Sequence, residues 1–167
     1  MTDRAPAPGG LALIEELVNT LRDITTGEDA LDTAEGRAPF GITADGAGEA
    51  RELREALRAA CLAHAGHPPH REVTPLGELL ATAPLRVEID ARDGSASLVP
   101  LDGSALVARV ATAIAEARTD GTWPRLKACE APDCHWAYYD RSPAGKGRWC
   151  DMNTCGARAK MRRYRSK

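Results

Sequence analysis

Aromatic side chains are scarce in this chain, and most of its length has none. Only seven Phe, Trp and Tyr residues occur, and six of them (Trp123, Trp136, Tyr138, Tyr139, Trp149, Tyr164) fall after residue 122. The stretches before and after that point therefore build different cores. Long apolar runs are missing too: nothing approaches the roughly twenty residues of a membrane span, and the opening MTDRAPAPGG has no apolar export segment. These absences predict a cytoplasmic protein with no membrane partner, in a compartment where thiols stay reduced. Catalytic signatures are also lacking. There is no G-x-S-x-G, no phosphate-cradling glycine loop and no HExxH. The expectation is that the protein is not an enzyme.

What is present is unevenly spread. The formal net charge is −2, yet residues 125–167 carry eleven Lys/Arg against four Asp/Glu, a local +7. The first 124 residues carry eleven bases against twenty acids, a local −9. Hydrophobic content of 43% supports a folded core. Charge and aromatic content change at the same place, which predicts two units, 1–122 and 123–167.

Cysteine is also rare, but four of the five form a pattern. CEAPDC spans Cys129 to Cys134, fifteen residues follow, and CDMNTC spans Cys150 to Cys155. Two C-x4-C pairs are the spacing of a tetrahedral four-thiolate zinc site, each pair supplying one edge. Two disulfides or four core thiols are the alternatives, and the reducing compartment argues against the first. The expectation is one structural Zn2+ on Cys129, Cys134, Cys150 and Cys155, with no open position for catalysis. Cys61 sits on a separate predicted helix and is excluded.

After the second pair, GARAKMRRYRSK holds six cations in twelve residues and no acid. Its Ala, Met, Arg and Lys residues favour helix, so Cys155 should begin a basic helix that the metal holds. Arg158, Arg162 and Arg165 share one stripe of the wheel; Lys160, Arg163 and Lys167 share another.

The run RWCDMNTCGARAKMRRYR, from Arg148 to Arg165, resembles the CGNR zinc finger, whose signature here reads Cys155, Gly156, Ala157, Arg158. Trp136, Tyr138-Tyr139-Asp140 and Arg148-Trp149-Cys150 are similar to that family as well. The likeness covers about the last forty residues, with one departure: Ala157 stands where the signature has Asn. In that family the finger follows a domain named ABATE, described as a stress-induced transcription regulator, and LALIEELVNTL (Leu11 to Leu21) looks like its start. The resemblance implies an α+β protein: an N-terminal, mostly helical ABATE-like domain with a β-hairpin, then a small treble-clef or ribbon-like finger of β-hairpin plus basic helix.

Taken in order, Leu11, Ile14, Val18 and Leu21 recur at helical spacing up to about Asp23, with Asn19 a polar edge residue. Residues 25–47 are rich in breakers, with a turn of helix near Ala30. Ala47 to Ala65 reads as a helix whose Glu/Arg pairs form a solvated face. His64, His67 and His70 are expected on a surface loop, not as a second metal site. A short helix is expected from Leu76 to Ala83. LRVEIDA and ASLVPL predict a hairpin with a two-residue Asp93-Gly94 turn, pairing Ile89 with Leu98 and Val87 with Pro100. Ser104 should cap a helix buried through Leu106, Val107, Val110 and Ile114 and ended by Gly121. In the finger, WAYYD is expected to pair with the residues before Cys150.

The functional expectation is a DNA-binding transcriptional regulator. Arg148, Arg158, Lys160, Arg162, Arg163 and Arg165 are its candidate nucleic-acid contacts. An N-terminal domain that senses an unidentified small-molecule or protein effector, and assembly as a homodimer, complete the reading. The alternative is a zinc-stabilised RNA-binding or protein-interaction module.

Overall fold

The computed structural model describes residues 5–103 and 105–166, apart from the side chain of Asp23. Ser104 and Lys167, the expected helix cap and last cation, lie outside the described residues. Helix α1 (Leu11–Val18) buries Leu11, Ile14, Leu17 and Val18. It stops before Asn19, and Leu21 opens the short strand β1 (Leu21–Asp23), which pairs antiparallel with β2 (Glu28–Asp29). The helix is therefore shorter than the apolar spacing predicts, because the chain turns at Asn19-Thr20 to place both side chains inward. A 3-10 turn (Ala30–Asp32), helix α2 (Ala34–Arg37) and a second 3-10 turn (Ala38–Phe40) follow, burying Leu31 and Phe40.

Helix α3 (Ala47–His64) is the longest, built almost wholly of Ala, Leu, Glu and Arg, all strong helix formers. Gly66 and Pro68-Pro69 end it. Its Leu53, Leu57, Cys61 and Leu62 meet α1 and α5 in the main core. The charged part of the expected solvated face is confined to the first turns, where Glu49 and Glu52 are exposed. Arg54, Glu55 and Arg58 are buried, Arg58 to 1% exposure, because their charges are consumed by one another and by backbone carbonyls.

Helix α4 (Leu76–Leu80) leads into the hairpin β3 (Leu85–Ile89) and β4 (Ala96–Pro100). The register pairs Val87 with Leu98 and Ile89 with Ala96, two residues away from the expected pairing. The connection is longer than two residues. Asp90 N donates to Ser95 O (2.9 Å) and Gly94 N to Asp90 O (2.8 Å), with Gly94 at φ +73°. Asp90 and Asp93 carboxylates accept from Arg92 N and Ser95 N, closing this wider turn. Helix α5 (Leu106–Thr119) then buries Leu106, Val110, Ala113 and Ala117, with Val107 and Ile114 half-buried beside them.

Strand β5 (Leu126–Ala128) pairs antiparallel with β6 (Ala137–Tyr139). This corrects the expected partner of WAYYD: the residues before Cys150 form no strand and touch the sheet's end through Glu130 N to Arg148 O (3.0 Å). Leu126, Ala128 and Ala137 point into the same core as α1 and α3. Fully burying a leucine such as Leu126 contributes about 1.5–3 kcal/mol, so the base of the finger is fastened to the body by ordinary core packing. Helix α6 (Ala157–Arg165) closes the described chain.

Candidate zinc centre and basic helix

The four cysteines converge from two turns. The first is a knuckle after β5: Cys129 N donates to Trp136 O (2.9 Å) and Cys134 N to Ala131 O (2.9 Å). His135 closes it at φ +49°, a left-handed conformation in which His is commoner than most residues, and its Nδ1 lies 3.1 Å from Cys129 O. The second turn runs through Met152–Gly156, a single wide turn that starts α6. Asp151 fixes it, accepting from Asn153 N (2.7 Å) and Thr154 N (2.9 Å).

The sulfurs of Cys129, Cys134, Cys150 and Cys155 all lie within 4.8 Å of one another. Cys134 Sγ is 3.6 Å from Cys150 Sγ, which is 3.7 Å from Cys155 Sγ. Zn–S bonds of about 2.3 Å put tetrahedral S···S edges near 3.8 Å, so the donor set fits zinc. The thiols are free rather than bridged. Without a cation such a cluster resists ionising together. Hydrogen bonds from Cys134 and Cys150 hold the Cys129 thiol far down, while the same contacts push Cys134 and Cys150 up. A divalent ion removes that conflict. Cys61, buried in the main core with its thiol pushed up to about 12 by burial, takes no part. Four cysteine ligands leave no open coordination position, so this is one structural zinc.

Two cations serve the centre itself. Arg158 donates to Cys155 Sγ (3.2 Å) and to Asp133 Oδ2 (2.9 Å), offsetting thiolate charge on one side. Arg148 forks onto Glu130 through Nε (2.5 Å) and Nη2. Both are among the candidate nucleic-acid contacts of the sequence, whereas their partners Glu130 and Asp133, both inside the first C-x4-C loop, carry no sequence signal that marks them. Beyond them α6 buries no residue. Among the described residues, no acidic group pairs with Lys160, Arg162, Arg163 or Arg165. Ala157, the departure from the signature, is exposed in the first turn, so the missing amide leaves no buried gap.

The centre is clamped to the body by groups that sequence reasoning left idle. Asn19 is no mere edge residue. Its amide pairs with the β6 backbone both ways, Nδ2 to Ala137 O (3.0 Å) and Ala137 N to Oδ1 (2.8 Å). Arg58 donates to His135 O (2.8 Å) and to Val18 O (2.7 Å), so a buried helix-α3 cation holds the carbonyl next to ligand Cys134. His64 Nδ1 meets Leu126 O at 2.7 Å, and His70 Nε2 meets Glu55 Oε2 at 3.0 Å. His64 ends helix α3, while His67 and His70 lie in the expected loop after it, and all three are half-buried rather than on an open surface. Among the described residues only the four cysteines form a metal-competent group. Within the finger, Lys127 Nζ and Asp140 form a buried pair at 2.9 Å. Asp140 also accepts from Gly147 N (2.6 Å), and a Cβ at Gly147 would sit 2.9 Å from that carboxylate. Glycine is required there. A polar residue interrupting an apolar stripe, as Asn19 does, is the one sequence signal that pointed at any of this.

The fold and centre together define a four-cysteine zinc finger carried on an α+β domain. Residues 125–167 match the CGNR zinc finger model. Residues 11–121 match the ABATE model, "Putative stress-induced transcription regulator", and the chain belongs to the ABATE family. No curated protein matches it. Among the described residues no helix is long and apolar enough to cross a membrane.

Proposed function

We propose that this protein is a DNA-binding transcriptional regulator in which 123–167 is the DNA-binding unit and 1–122 the regulatory unit. One observation carries the reading. Helix α6 stands out from a metal-braced base with no buried residue, and four of its cations face solvent without an acidic partner among the described residues. An α-helix fits the major groove of B-DNA, where arginine reads guanine through paired hydrogen bonds. Lys160, Arg162, Arg163 and Arg165 are the contacts. Arg148 and Arg158 add positive field at the helix base while keeping their ion pairs with Glu130 and Asp133. In this reading the protein works in the cytoplasm, beside DNA and under reducing conditions.

The regulatory unit carries a cavity of about 850 Å3 between α3, α4 and α5. Leu53, Leu79, Leu106 and Val107 floor it, and Glu49, Glu52 and Glu78 rim it without a basic residue. It is suited to an apolar effector bearing positive charge. The test of the main reading is competition binding of zinc-loaded protein with duplex DNA, single-stranded RNA and an acidic protein. Preferential capture of duplex DNA is expected. Preference for either competitor would replace the DNA reading with the corresponding binding module.

A further inference from the structure

Strand β3 presents an edge that fits itself. In its hairpin the hydrogen-bonded pairs with β4 are those of Arg86 and Glu88, in phase with Asp90 N to Ser95 O and Leu101 N to Pro84 O. Antiparallel ladders alternate, so the N–H and C=O groups of Leu85, Val87 and Ile89 point away from β4. Among the described residues nothing bonds to them. Their side chains share one face of the hairpin with Leu98, yet Val87 is 63% and Ile89 62% exposed. An uncovered strand edge with apolar side chains is what soluble proteins ordinarily suppress with charge, proline or a covering element.

We propose that this chain forms a two-fold dimer by antiparallel pairing of β3 with β3 of a second copy, centred on Val87. The sequence Leu85-Arg86-Val87-Glu88-Ile89 is self-complementary about that point. Val87 faces Val87 of the second copy, Leu85 faces Ile89, and Arg86 faces Glu88, each of the last two occurring twice by symmetry. The outward backbone groups of Leu85, Val87 and Ile89 form the ladder's hydrogen-bonded pairs. Arg86 and Glu88 fall at the closer, non-hydrogen-bonded pairs, where cross-strand side chains interact most strongly. Within one copy these two already pair along the strand, with Arg86 Nη2 on Glu88 Oε1, and the dimer converts that local contact into two cross-strand ones. The hairpins merge into one four-stranded sheet, and the four apolar groups Val87, Ile89, Leu98 and Leu85 of each copy make one continuous face. Charge complementarity together with the phase of the free backbone groups selects a second copy over an unrelated partner.

The test is sedimentation equilibrium of the full zinc-loaded chain across a concentration series. The parent is expected to be a dimer. Val87→Lys places two like charges at the two-fold axis, where such juxtaposition is costly, and should raise the dissociation constant at least about a hundredfold. R86E should do the same by opposing Glu88 with a second acid, and R86E combined with E88R should restore dimerisation by reversing both partners. Because these positions are exposed, all variants should keep the parent's zinc content and circular dichroism. A monomeric parent at every concentration overturns the proposal, and so does a dimer that survives Val87→Lys. Failure of R86E/E88R to recover what R86E alone loses would remove the register. The assay involves no DNA, so it stands or falls separately from the DNA-binding reading.

Discussion

Helices α3 and α6 are written in nearly the same alphabet and lie in opposite environments. AGEARELREALRAACLAH and ARAKMRRYR are both dense in alanine and arginine, yet Arg54 and Arg58 are buried while Arg162, Arg163 and Arg165 are exposed. Partners decide the difference. Arg58 spends its donors on Glu55 Oε2 (3.1 Å), Val18 O and His135 O. Arg54 spends its own on Glu55 Oε1 (2.7 Å), Asp29 Oδ2 (2.7 Å) and Thr20 Oγ1 (3.2 Å). A guanidinium leaves water only when its fork is filled. Beyond Arg158, nothing in the described fold fills the forks of α6, and they remain available to a ligand that brings acceptors. One set of arginines completes the fold; the other stays in water.

The sharpest way to separate the two helices is to remove the metal. Cys150→Ala should abolish zinc binding and melt the segment around residues 129–165, since structural zinc in small fingers contributes roughly 10–16 kcal/mol of apparent folding free energy. Helix α3 should persist, because its core is Leu53, Leu57 and Cys61 against α1 and α5. Metal analysis combined with amide exchange checks both halves. Retained zinc would dismiss the ligand set, and loss of protection along α3 would show that the body depends on the finger.

Next in size is the carboxylate that makes arginine burial tolerable. Glu55→Ala strands Arg58 without an acid and should destabilise the fold by about 3–5 kcal/mol, read by denaturant unfolding. The same group makes stability pH-dependent. Burial alone would raise the Glu55 carboxyl, but the His70 hydrogen bond and the Arg58 and Arg54 charges outweigh it and hold it well below its ordinary 4.5. Its folded pKa is therefore depressed, so on acidification the unfolded chain takes up the proton first. The stabilisation is complete above about 4.5 and is lost as pH falls below it. Glu55→Gln should flatten that part of the acid unfolding curve. An unchanged curve would mean the carboxylate does not matter to folding.

The zinc ligands were legible because metal coordination fixes residue type and spacing locally, within two C-x4-C loops. The basic helix was legible for the same reason, as six cations without an intervening acid are a property of twelve consecutive residues. The fate of the α3 charges was not, because Glu55, Arg58 and their carbonyl acceptors at Val18 and His135 are brought together only by the tertiary fold. The hairpin register was missed for a smaller reason. Asp93-Gly94 suits a two-residue turn, but Asp90 also captures Arg92 N, and that competing side-chain bond widens the loop and shifts the pairing by two. The wrong partner for WAYYD came from reading the finger alone, when β5 begins just before the first ligand and belongs to the body's core.

Asn19 offers a finer cut, since it joins the two environments. Asn19→Ala leaves Ala137 N and O without their amide partner and should cost about 1–3 kcal/mol. Zinc content should not change, because the four sulfurs are fixed by their own turns. If stability is unaffected, water replaces the amide and the clamp is not what seats the finger on α1.

The smallest effect on stability should accompany the largest effect on function. Replacing Arg162 and Arg163 together by Ala removes two exposed cations from a helix with no buried residue, and alanine is the better helix former. Unfolding midpoint and zinc content should match the parent within error. DNA binding should not. Neutralisation of phosphates by four cations gives a slope of log K against log salt near −3.6, and loss of two should reduce it by roughly 1.8. The paired substitution on α3, Arg54→Ala with Arg58→Ala, should reverse the pattern, with a large stability loss and an unchanged salt slope wherever folded protein remains. If the α6 double variant binds duplex DNA with the parent's affinity and slope, its arginines are a solvated tail. In that event an exposed fork no longer identifies a docking surface in this protein.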